Sequence, residues 1–207
     1  MVSALATTAT SRLLRPLAAA IALVALVLVA CSWGPARANE PQQDELWAAL
    51  RAGGHVALMR HALAPGTSDP PDFRVEDCAT QRNLSAEGRA QAVRIGDLFR
   101  AQGLRDLRVL SSQWCRCLDT ASLLALGPVE ELPALNSFFR DRQHSAAQTA
   151  ALQDWLAAQP HDQVLLLVTH QVNITALTGA FTRSGEIVVA RRNADGGLSP
   201  LGSIPTQ

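Results

Sequence analysis

The stretch QVLLLVTH, residues 163–170, decides how the rest of the chain is read. Its nearly continuous apolar run is the pattern of a β-strand covered on both faces, and such strands belong to parallel sheets sandwiched between helices. His170 stands just past the carboxyl end of that strand, where open α/β sheets collect their ligands.

Outward from this strand, helix and strand alternate. Gln42–Arg51 reads as a helix, and Gly53-Gly54 ends it before the apolar strand His55–Met59. An irregular loop with Pro65, Pro70 and Pro71 follows. Ser85 is placed as the N-cap of a helix whose Ala92, Ile95, Leu98 and Phe99 recur at helical spacing, closed by Gly103. Leu107–Leu110 is a short strand, Trp114–Leu126 and Ala146–Ala158 are helices, Val172–Phe181 is a helix, and Glu186–Arg191 is the last strand. The alternation predicts an α/β fold, a three-layer α/β/α sandwich with a mostly parallel central sheet.

Composition narrows the chemistry. The chain has 207 residues and a 48% hydrophobic content, enough for one well-packed domain and too short for two comfortable ones. All 18 cationic residues are arginines, which excludes lysine Schiff bases and the P-loop lysine. Whatever binds anions here uses guanidinium.

Residues 1–38 read as an export signal. Arg12 and Arg15 form a cationic start, Leu17–Ala30 is apolar throughout, and Ala36-Arg37-Ala38 is a cleavage pattern behind the helix-breaking Gly34-Pro35. Leu28-Val29-Ala30-Cys31 resembles a lipoprotein box, so a lipid anchor at Cys31 is the alternative to cleavage after Ala38. The apolar run is shorter than the roughly 20 residues a spanning helix needs, which disfavours an uncleaved anchor. The expected location is periplasmic or secreted, alternatively a membrane-anchored lipoprotein, with residues 39–207 as the mature domain.

Losing residues 1–38 removes three arginines and no acid, leaving a net charge of about −3. That is no electrostatic footprint for nucleic acid. Cys78, Cys115 and Cys117 remain, and an oxidising compartment favours one disulfide and one free thiol. A zinc site competes, against it the shortage of ligands at suitable spacing. A bridge from Cys78 to Cys115 or Cys117 would tie the long loop down. Cys115 is preferred, although nothing in the sequence separates the two.

Three strand ends carry polar side chains of one kind. Arg60-His61 follows the first strand, Ser111, Ser112 and Arg116 the second, and His170 the strongest. In a parallel sheet these ends share an edge, so two imidazoles and two guanidiniums converge. With no carboxylate expected among them they would repel one another unless an anion intervenes, and phosphate suits the two-donor forks of arginine. A histidine flanked by cations should be held neutral and able to attack. An in-line nucleophile with positive clamps is what phosphoryl transfer requires.

Four segments carry a resemblance. LMRHALAPG (58–66) resembles the R-H-G signature of the histidine phosphatase superfamily, also called phosphoglycerate mutase-like, with Ala62 in place of the usual glycine. RNLSAEGRAQA (82–92) resembles its L-[ST]-x-x-G-x-x-Q-A segment. VLSSQWCRCLDTA (109–121) resembles its S-S-x-x-x-R-x-x-x-T-A segment, and LLLVTHQVNI (165–174) its strand ending in the second histidine.

The resemblance implies a phosphatase that needs no metal or other cofactor. His61 would become phosphohistidine, Arg60 and Arg116 would clamp the phosphoryl oxygens, and His170 would bind the phosphoryl group with help from the backbone N–H of Gln171. The family's leaving-group acid often lies in an L-x-E segment, which here is Leu135-Asn136-Ser137 without an acid. Asp141 is the nearest substitute and Glu131 the next. Without an acid, phosphoramidates or acyl phosphates would be favoured over alkyl phosphates.

His55, His144 and His161 are expected to be structural or solvent-facing, and Trp47, Trp114 and Trp155 to be core. Arg82 reaches either the pocket or Asp77. The expected function is an exported phosphohydrolase acting on a phosphorylated small molecule or phosphoprotein. The alternatives are a non-catalytic phosphate-ligand binding protein and, less favoured, a mutase. Oligomeric state is not read from the sequence.

Overall fold

The computed structural model describes residues 40–206. The export segment over 1–38, with its cleavage position and the lipidation alternative at Cys31, lies outside the described residues.

The chain runs α1 (Glu40–Ala52), β1 (His55–Arg60), α2 (Ala86–Ala101), β2 (Arg108–Ser111), α3 (Cys115–Leu124), β3 (Val129–Glu131), α4 (Ser145–Ala157), β4 (Leu165–Thr169), α5 (Gln171–Thr178), β5 (Ile187–Arg192) and β6 (Leu198–Ile204). One sheet holds all six strands in the order β3-β2-β4-β1-β5-β6. β3, β2, β4 and β1 pair in parallel, and β5 and β6 add antiparallel neighbours at one side. β4 is central and buried at every residue, as its unbroken apolar run requires.

Side-chain alternation along the strands separates two cores. Ala57 and Met59 of β1 and Leu166 and Val168 of β4 pack with Leu50 of α1, Phe99 of α2 and Leu124 of α3. Val56, Leu58, Leu165 and Leu167 point the other way, onto Leu152 and Leu156 of α4 and Ile174 and Leu177 of α5. The three-layer α/β/α arrangement with a mostly parallel sheet follows from this period-two division.

The sequence reading departs from the structure mainly at the sheet's borders. β3 and β6 were not expected: β3 has three residues, and β6 carries Pro200, a residue that argues against a strand. β6 is an edge strand, where a missing N–H costs little, and a bulge beside the Val189/Ala190 pairing step absorbs one extra residue. Leu98 faces solvent instead of the core. α3 ends at Leu124 because Ala125 turns left-handed with φ of 50°, and α5 ends at Thr178 where Gly179 does the same with φ of 74°.

α2 and α3 approach each other closely at Gly96, where an added Cβ would meet the backbone oxygen of Leu124 at 2.1 Å. Alanine is the better helix former, by roughly 0.5–1 kcal/mol over glycine, yet a clash with backbone cannot be relieved by a rotamer change. Gly96→Ala is expected to lower unfolding free energy by about 1–3 kcal/mol in urea titrations. Arg94→Ala, on the exposed side of the same helix, should stay within about 0.5 kcal/mol of wild type.

Candidate active site

β4 delivers two strand ends to one place. The N–H of His61 donates to the Thr169 carbonyl at 3.0 Å, and the N–H of Ser112 donates to the Val168 carbonyl at 3.0 Å. The residues just past β1 and β2 are therefore pinned on either side of the β4 terminus, which continues directly into His170. The His61 and His170 rings lie 5.6 Å apart, centroid to centroid, in an edge-on arrangement. With Arg60, Arg82 and Arg116 they line a cavity of about 310 Å³.

The flanking segments hold the backbone that follows His61. Ser85 caps α2 by accepting from the Gly88 N–H at 3.0 Å. Gly88 is required because a Cβ there would meet the Leu63 oxygen at 2.0 Å. Gln91 accepts from the Leu63 N–H at 3.0 Å and donates to the Ser184 carbonyl at 3.0 Å. From α3, the Thr120 hydroxyl accepts from the Ala62 N–H at 3.0 Å and donates to the Arg116 carbonyl at 2.6 Å. Ala62 itself is buried beside Ala64, Leu84 and Ala92 and has no left-handed φ, so its methyl group replaces the expected glycine without strain.

His61 is oriented by its own neighbour. Its Nδ1 lies 2.7 Å from the Ala62 carbonyl, and a carbonyl can only accept, so Nδ1 carries the proton and Nε2 keeps its lone pair. Burial, and then the Arg116 guanidinium, hold the imidazole well below its ordinary pKa of 6.5. His170 is depressed by the same two causes, with His61 adding to them. Both rings are neutral at physiological pH.

One expectation about charge is overturned, because a carboxylate does stand among the cations. Asp69, on the proline-rich loop, pairs with Arg116 through Nη1–Oδ1 at 2.7 Å and Nη2–Oδ2 at 3.3 Å, both side chains being almost fully buried. It also accepts from the Arg82 N–H and from Trp114 Nε1, each at 3.1 Å. Burial alone pushes the Asp69 carboxyl up, but Arg116 and these donors hold it below 3.8. The loop has no regular period, so nothing in the sequence places Asp69 at the site. Arg82 takes the pocket side of its two expected positions. Its guanidinium donates to the Ala64 carbonyl, and burial, then Arg116, lower its pKa to about 10. Asp77 pairs with Arg74 instead.

Trp114, expected in the core, lines the cavity, stacked on Phe73 with ring centroids 4.9 Å apart. Arg60 donates from Nη1 to the Thr182 carbonyl at 2.7 Å. The Nε atoms of Arg60, Arg82 and Arg116 are buried without a partner among the described residues. Gln171 opens α5 and lines the cavity. Asp141 lines it as well and pairs with His144 Nδ1 at 2.9 Å, whereas Glu131 is exposed, accepts from Gln113 and does not line it. Ser137, at the acid's place in the L-x-E segment, is on the cavity wall.

Cys78 and Cys115 form the disulfide, which ties the loop to the first residue of α3, immediately before Arg116. That pairing uses two of the three cysteines among the described residues. Cys117 is free and buried, its thiol pushed up to about 12 by burial.

The fold has counterparts among known proteins. The family model described as histidine phosphatase superfamily (branch 1) matches residues 56–144. Among solved structures, the protein histidine phosphatase SixA in complex with tungstate is 18% identical with a TM-score of 0.51, covering 73% of this chain and 97% of that one. A SixA-type phosphohistidine phosphatase from Agrobacterium tumefaciens is 22% identical at a TM-score of 0.51, with 74% and 98% covered. A phosphoserine phosphatase mutant from Entamoeba histolytica, in complex with phosphoserine, is 14% identical at 0.52, again with 74% and 98% covered. No curated protein matches the chain. Over residues 56–144 the chain is similar to the histidine phosphatase superfamily, and its fold is that of the solved phosphatases above.

The buried charges set a pH dependence of stability. An unfolded chain protonates its histidines near pH 6.5, while folded His61 and His170 stay neutral, so the unfolded state gains protons first and stability falls as pH drops below that value. Asp69 adds a further loss below about pH 3.8. Urea midpoints should therefore decline from pH 7 to pH 5. Asp69→Asn, which leaves Arg116 buried without its counter-ion, should cost about 2–4 kcal/mol at pH 7.

Proposed function

We propose that the protein hydrolyses phosphorylated substrates through a covalent phosphohistidine on His61. The observation that carries this reading is the Nδ1–H bond to Ala62, which presents an unprotonated Nε2 beside His170 and the arginines. Nε2 attacks phosphorus as the bond from phosphorus to the leaving atom breaks, and the leaving group departs with the bonding pair and takes its proton from solvent. Water then attacks phosphorus, and inorganic phosphate leaves as the P–N bond to His61 breaks. Arg60 and Arg116 supply donors to the phosphoryl oxygens, the Gln171 N–H adds another, and His170 donates once its basic nitrogen has taken up a proton.

The leaving group is where this chain departs from the family pattern. Ser137 cannot act as an acid, and among the described residues the carboxylates on the cavity wall are Asp69, engaged by Arg116, and Asp141, engaged by His144. This supports phosphoramidates and acyl phosphates, which depart with little protonation, as the preferred substrates. The SixA neighbours are described as acting on phosphohistidine, which agrees with a phosphoramidate. The export segment and the disulfide support a periplasmic or secreted site of action.

Purified residues 39–207 should hydrolyse p-nitrophenyl phosphate with no metal added, and His61→Ala should lose about 10³-fold or more of that rate. Acid-labile, base-stable radiolabel should be trapped on the wild type and absent from the variant. Turnover that persists in His61→Ala, or an unlabelled wild type under burst conditions, would remove the covalent route. If Asp141 protonates alkyl leaving groups, Asp141→Asn will slow an alkyl phosphate while sparing a phosphoramidate. Equal rates on both substrates would exclude that residue.

A further inference from the structure

We propose that Ser112 and Asn136 are positioning residues that hold neutral His170 as the tautomer protonated on Nε2, so that its one basic nitrogen, Nδ1, faces Arg116 and the phosphoryl subsite. The proposal rests on reading His170 as the second histidine of the phosphoryl site, and it concerns that ring's chemistry rather than the reaction as a whole.

Hydrogen-bond polarity around the ring favours one assignment, and Cys117 Sγ, 3.5 Å from Nε2, can accept within it. Arg116 Nη2 lies 3.5 Å from His170 Nδ1, and a guanidinium only donates, so Nδ1 accepts. On the other side, Nε2 lies 2.9 Å from the Ser112 hydroxyl oxygen. That hydroxyl is 3.2 Å from the Asn136 Oδ1, an acceptor, and therefore donates to it. Its oxygen is left to accept the Nε2 proton.

Asn136 cannot turn its amide around without losing two bonds. Its Oδ1 also accepts from the Gln113 N–H at 2.8 Å, and its Nδ2 donates to Gln113 Oε1 at 2.8 Å. A flip would set donor against donor and acceptor against acceptor. The Asn136 backbone is fixed from the opposite layer, where Asn173 Nδ2 of α5 donates to its carbonyl at 2.9 Å and Gln148 of α4 donates to the same oxygen. A polar chain thus runs from Asn136 through Ser112, His170 and Arg116 to Asp69, each link with a donor and an acceptor.

The groups facing His170 are Arg116 and Cys117 from α3, His61 and Arg60 from the end of β1, Arg82 from the loop, and the Trp114 ring at 5.4 Å. None is anionic. The ring therefore stays neutral until an anionic phosphoryl group arrives, when its basic Nδ1 takes up a proton and turns from acceptor to donor.

The test is ¹⁵N-histidine NMR on wild type, Ser112→Ala, Ser112→Thr and Asn136→Asp, with turnover of p-nitrophenyl phosphate measured in parallel. Wild type and Ser112→Thr should show a protonated Nε2 and an unprotonated Nδ1 on His170, and Ser112→Ala a mixture of tautomers. Ser112→Ala should lower kcat about tenfold with KM within about twofold, and Ser112→Thr should recover most of it. Asn136→Asp, which puts a carboxylate behind the serine, should raise the pH at which His170 titrates by about one unit. An unaltered Nε2–H tautomer in Ser112→Ala together with an unmoved titration in Asn136→Asp would overturn the assignment. If Ser112→Ala fails to fold, the Asn136→Asp titration decides alone. Because the spectra are read without substrate, an inactive wild type would sink the proposed function and leave this assignment to its own result.

Discussion

The hydrogen bonding of β4 between β1 and β2 is the constraint on which the site depends. Parallel pairing on both flanks brings three carboxyl ends to one border, and the pairing continues one residue past each strand, through the N–H groups of His61 and Ser112. The strand that is most deeply buried is thereby also the ruler for the chemistry. A slip of one residue in either register would exchange the two cores and carry His61 or Ser112 to the wrong face.

The electrostatic arrangement is built around Arg116. Four arginines, Arg60, Arg82, Arg116 and Arg140, and two neutral imidazoles line a small cavity, and Asp69 offsets part of the repulsion while anchoring the loop that closes one side. Because Asp69 holds one edge of the Arg116 fork, the guanidinium cannot swing. The disulfide one residue earlier and the Trp114–Asp69 bond restrain the same corner. Such preorganisation is what makes donors effective toward developing negative charge.

Much of this was legible in the residues themselves. The buried run of β4 and the alternation around it imply the layered fold, and the strand-end positions of Arg60, His61, Arg116 and His170 imply their convergence, because strand direction alone sets which ends meet. The Cys78–Cys115 bridge was one of two options left open. Asp69 was not placed, Arg82 was left between two positions and Trp114 was assigned to the core, since the first two lie on a loop whose path is set by tertiary contacts. Trp114 sits at a helix N-terminus whose facing side no periodicity reveals. β3 and β6 escaped notice because short border strands have little burial and so little pattern. The role of Asn136 was invisible for a different reason: its partners are a backbone N–H and a serine from another strand end.

The two borders of the sheet share a property with its own outcome. β3 is only three residues long and exposes Glu130 and Glu131, and β6 interrupts its ladder with Pro200 and a bulge that turns Leu201 outward. Neither rim offers a straight row of free amides to a strand from another molecule. Both described edges of the sheet are thus interrupted by their own sequence, which disfavours the addition of a strand from another molecule.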